Sequence, residues 1–122
     1  MTRQELVVFL AQMVVLLPAR AVNTGIILPQ FADVKTFRQE FDVLMHTVPD
    51  FLMPEVRYAT LREYEFGNSR HIWISNPDHS KGRSFDQLYL SSRLTEEDKK
   101  KHLFCFLPMI GSINNIHTFE DV

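Results

Sequence analysis

An α/β fold, a three-layer sandwich with a largely parallel sheet, a β-hairpin extension and flanking helices, is predicted by three features of this sequence. Apolar residues recur at helical spacing near the amino terminus and again after Asp33. The short branched run TGIILP stands between those two stretches, and the period falls to two over residues 55–75. Helices that alternate with strands place a sheet between helical layers, and a period-two run broken by turn residues adds a hairpin.

The first helix is expected over residues 3–16, with Thr2 and Glu5 as a capping box and Leu6, Phe9, Leu10, Met13 and Leu16 along one side. Pro18 stops it, since proline has no amide to continue the ladder. TGIILP, bounded by Gly25 and Pro29, is short, branched and continuously apolar, the pattern of a strand buried on both faces. Asp33 is the expected cap of a second helix in which Val34, Phe37, Phe41, Leu44 and Met45 face inward, ending near His46. EVRYATL, REYEF and RHIWIS then alternate as a strand followed by a hairpin, with Gly67 expected at a positive-φ turn position.

After the polar loop NPDHSKGRS comes the strand FDQLYLS, with Phe85, Leu88 and Leu90 expected in the core, and Thr95 opens a last helix. One domain over residues 1–110 follows, with residues 111–122 as a tail that is expected to be poorly ordered.

Lysine and arginine number 13 against 15 acids, so a net charge of −2 provides no chain-wide attraction to nucleic acid or anionic membrane. The single Cys105 excludes an internal disulfide and any multi-cysteine zinc site. The apolar stretch LVVFLAQMVVLLPA follows Glu5 and is too short to span a bilayer, which requires about 20 residues. A cytoplasmic protein without a membrane partner is expected.

Helix, IILP, KTFRQEFDVL, hairpin and KGRSFDQLYLSS, in that order, resemble the central part of a P-loop ATPase core over roughly residues 1–105. The closest likeness is to phage DNA-packaging terminase large subunits and related helicase-like motors. Gly67-Asn68-Ser69 stands where those proteins carry a hairpin turn, and Lys81-Gly82-Arg83-Ser84-Phe85-Asp86 precedes what resembles their Walker B strand. The departures decide the expected chemistry. No G-x-x-x-x-G-K-[ST] loop occurs, so no glycine-rich backbone cradles phosphate, and Thr2 stands where that loop would end. Ser91 and Ser92 occupy the places of the metal-holding acid and the water-activating acid, and a hydroxyl lacks the charge that either task needs. The resemblance therefore implies a pseudo-NTPase: a folded platform without a nucleotide site, encoded by a phage or mobile element and acting in the host cytoplasm. Its two serines should face a vacant pocket beside the loop after IILP.

No catalytic residue, cofactor or metal ligand is expected. Asp86 lies at the amino end of its strand, away from where open α/β sheets bind ligands, and reads as a turn residue. His71 and His79, even with Asp78, lack a third ligand at motif spacing, and no serine sits in a nucleophile elbow. Arg70, Lys81, Arg83 and Arg93, interleaved with Trp73 and Tyr89, form the candidate interaction surface, with cations for phosphates or acids and rings for stacking. The plainer reading places Trp73 in the core and pairs the arginines with acids across the hairpin. A protein partner is the first expectation. The alternatives are an ATPase subunit whose phosphate loop comes from a partner chain, and a small nucleic-acid-binding regulator.

Overall fold

The computed structural model describes residues 1–16, 22–67, 70–77, 85–100 and 116–121. The turn at Asn68 and Ser69, the loop with His79, Lys81 and Arg83, Cys105 and the side chain of Arg70 lie outside the described residues. The order of elements is α1 (Arg3–Leu16), β1 (Val22–Ile27), α2 (Phe31–Met45), a 3-10 turn (Asp50–Leu52), β2 (Val56–Ala59), β3 (Glu63–Phe66), β4 (Arg70–Ser75), β5 (Gln87–Ser91) and β6 (Ile116–Phe119).

All six strands form one mixed sheet in the order β2-β3-β4-β1-β5-β6. The pairs β4 with β1, β1 with β5 and β5 with β6 are parallel, whereas β2 with β3 and β3 with β4 are antiparallel. The hairpin thus extends one side of a parallel block, with Ile26 of β1 level with Ile74 and Tyr89. β6 belongs to this sheet, so the terminal stretch given no element by its composition contributes an edge strand. Its four residues offer little to read, since only Phe119 is buried.

Alternation divides the core in two. Ile26, Tyr64, Phe66, Ile72, Ile74, Tyr89 and Phe119 point to the face covered by α1 and α2, where they meet Leu6, Leu10, Val14, Phe37 and Phe41. Ile27, Trp73, Phe85, Leu88, Leu90 and Leu94 form a second cluster on the other face. Phe85, Leu88 and Leu90 are buried as the sequence predicts. Gly25 of central β1 makes this packing feasible: a Cβ there would stand 3.0 Å from three atoms of the Phe85 ring.

Local signals explain both helix starts. Glu5 accepts from the Thr2 amide and donates its own amide to the Thr2 hydroxyl, both at 3.2 Å, the capping box expected. α2 begins earlier than predicted. Gln30 holds the cap position, and Asp33 sits inside the first turn with its carboxylate accepting the Gln30 amide at 3.2 Å. Gly67 also departs from expectation. Its backbone is outside the positive-φ region, and what its place requires is closeness: its amide donates to Glu55 O at 2.6 Å, and an added Cβ would come 3.0 Å from the Glu55 Cβ.

Candidate functional site

Parallel strands align their carboxyl ends, and open α/β sheets place their ligand sites beyond those ends. Here β1, β4, β5 and β6 deliver Leu28, Asn76, Ser91 with Ser92, and Glu120 with Asp121 to that rim. α1 and α2 add Thr2 and Arg3, and Gln30 through Asp33, from their amino ends.

The β6 side of the rim is organised around Asp121, which is 2% exposed. Its Oδ2 accepts from the Ser91 hydroxyl at 2.7 Å and from Arg93 Nε and Nη2 at 3.1 and 3.0 Å. Its Oδ1 accepts from Arg3 Nη1 at 3.3 Å, and its amide donates to the Ser92 hydroxyl at 3.0 Å. Arg93 reaches on to Asp33 Oδ1 at 2.6 Å, and Arg3 lies 3.3 Å from Glu40. Burial alone would push the Asp121 carboxyl up, but the Ser91 and Arg93 hydrogen bonds and the charges of Arg93 and Arg3 outweigh it and hold the pKa below the usual value. Arg93 is shifted the other way by the same partners, Asp33 first.

Ser91 therefore does not face a vacant pocket. It is fully buried and its hydroxyl is committed to a carboxylate. Both oxygens of that carboxylate are spoken for, and the charges of Asp33 and Asp121 are balanced by Arg93 and Arg3. Such a network ties β5, β6, α1 and α2 together. Among the described residues no group of three or more His, Cys, Asp or Glu side chains converges as a metal site.

The β4 side differs. Arg62, in the β2–β3 turn, donates from Nη1 to Asn76 Oδ1 at 2.9 Å, and its guanidinium stands 5.0 Å from the centre of the Phe31 ring. Lys35 Nζ stands 5.0 Å from the same ring. Burial lowers the pKa of Arg62, and among the described residues neither Arg62 nor Lys35 has a carboxylate within ion-pair distance.

Of the candidate surface, Trp73, Tyr89 and Arg93 are described and stand in different surroundings. Trp73 lies in the second core cluster, and Tyr89 on the helix side between Phe9 and His117. Arg93 belongs to the Asp121 network. His71 pairs with Glu63 across the hairpin, and Asp86 accepts the Asn23 amide at 2.8 Å, as a turn residue would. Arg3, Arg62, Phe31 and Asp121 escaped sequence reading because no spacing connects residues that meet only through strand order. No helix among the described residues is long and apolar enough to cross a membrane. No family model and no curated protein matches the chain.

Proposed function

We propose that the chain is a non-catalytic protein-binding module on a P-loop-like core, and that its partner adds a strand beside β6. The observation that carries this reading is the outer edge of β6. Glu120 donates its amide to Met1 O at 2.8 Å and accepts from the Arg3 amide at 2.9 Å, while Thr2 and Glu120 form a parallel bridge. The first residues thus sit like the end of a seventh strand on the far side of β6. Backbone groups alternate along a strand, so Thr118 and Ile116 turn their amides and carbonyls to the same side of β6 as Glu120, an edge that among the described residues only the first three residues pair with. An unpaired edge of this kind is a template for strand addition, in which main-chain hydrogen bonds provide the affinity. The burial of Trp73, Phe85, Leu88 and Leu90 supports a covering layer on the second face, the three-layer arrangement expected from sequence. The ground for a phage or mobile-element origin is the resemblance over KGRSFDQLYLSS.

The test uses a photoreactive residue at His117 in the cell that makes the protein, followed by identification of the crosslinked species. One defined partner is expected, and Thr118→Pro should abolish the crosslink while leaving the free chain folded, because that amide bonds nothing among the described residues. Crosslinks that persist with Thr118→Pro would refute strand addition. The isolated chain should show no calorimetric binding of ATP with magnesium, since it holds neither a phosphate loop nor a free acid at β5; saturable micromolar binding would return it to the enzymes.

A further inference from the structure

Arg62, in the turn between β2 and β3, has no acid beside it among the described residues. Arg3, Arg38 and Arg93 each meet a carboxylate, whereas Arg62 bonds only the neutral Asn76 amide and is partly withdrawn from water. Lys35, the other cation on the Phe31 ring, likewise has no acid among the described residues. A guanidinium that has lost water and gained no counter-charge retains unspent attraction for an anion. The amino terminus of α2, from which Phe31 projects, adds positive potential of the same sign. Around these charges the surface is apolar: Phe31 is 41% exposed and Leu61, next to Arg62, 40%.

We propose that Phe31, Lys35, Leu61 and Arg62 form a docking surface for a short acidic peptide segment, its carboxylates on Arg62 and Lys35 and an adjacent apolar side chain on Phe31 and Leu61. The occupant is a peptide because the charge is small and local. A chain with a net charge of −2 does not draw in a long polyanion, and the paired apolar side chains suit a partner that alternates acids with large hydrophobic residues. The proposal rests on the protein-binding reading for its class of partner, but it uses a surface separate from the β6 edge.

The experiment is to pan a library of random 12-residue peptides (a general probe length, about the span of one linear motif) against the whole chain. The same library is panned against the double variant Lys35→Gln with Arg62→Gln. Glutamine at residue 62 keeps a donor for Asn76, and an unchanged thermal midpoint confirms that the variant folds. Enrichment of peptides with Asp or Glu beside Leu, Ile or Phe is expected, with binding of individual peptides falling at least tenfold on the double variant and recovering with Arg62→Lys alone. No acidic enrichment, or equal binding to the double variant, would overturn the proposal. So would an oligothymidine that binds the wild type more tightly than any peptide and loses that binding in the double variant, which would assign the surface to nucleic acid. None of these results alters crosslinking from His117, so the two readings fail separately.

Discussion

At the scale of single residues, Asp121 concentrates much of what holds the carboxyl ends together. A buried carboxylate is tolerated when donors surround it, and removing a donor leaves the acceptor with its desolvation unmet. Ser91→Ala is therefore expected to destabilise the protein by about 1–2 kcal/mol in urea unfolding, despite the smallness of the change. Asp121→Ala should cost about 3 kcal/mol, because it takes one of two carboxylates from the largely buried Arg3 and the acceptor from the buried Ser91 hydroxyl. Asp121 also sets an acid limit. Its pKa is depressed in the folded protein, so its contribution is complete above the ordinary aspartate value near 4 and disappears as pH falls through the lower folded value. Urea midpoints measured from about pH 6 down to pH 2.5 should fall more steeply for the wild type than for Asp121→Asn, whose acid limb is flattened. Parallel acid limbs would show that folding does not lower the Asp121 pKa. Sequence placed Ser91 at the end of its strand correctly but not its partner, because residues 91 and 121 are joined only by the pairing of β5 with β6.

Among the elements, β1 and β5 are parallel neighbours, each paired on both sides, and both carry closely packed positions. Gly25→Val must displace the Phe85 ring and is expected to cost about 1–3 kcal/mol, read as a lower thermal midpoint. Leu88→Ala should cost about 2–5 kcal/mol, since Leu88 is fully buried in the second cluster. A change under about 0.5 kcal/mol in either variant would contradict the packing described here. What the chain discloses of its elements follows the range of the signal. α1 is legible because the Thr2–Glu5 box and the apolar period lie within a few residues. The hairpin is legible from alternation alone, while the role of Gly67 was misread because closeness to Glu55 is set by β2, not by the turn dipeptide. β6 is illegible: IHTF is four residues long and carries one buried side chain.

For the molecule as a whole, composition and period reveal an α/β sheet but not its order. The hairpin pairs neighbours in sequence, whereas β1 lies between β4 and β5, each separated from it by a helix or more. Those contacts are written in the sum of many side chains, so no short motif announces them. One consequence concerns the making of the protein. Arg3 meets Asp121 across 118 residues, and Met1 meets Glu120. At a translation speed of about 5–20 residues per second, α1 leaves the ribosome on the order of ten seconds before the strand that anchors its first turn exists. During that interval the first turn of α1 is without its anchor, and Val8 and Phe9 lie on its surface even in the finished fold.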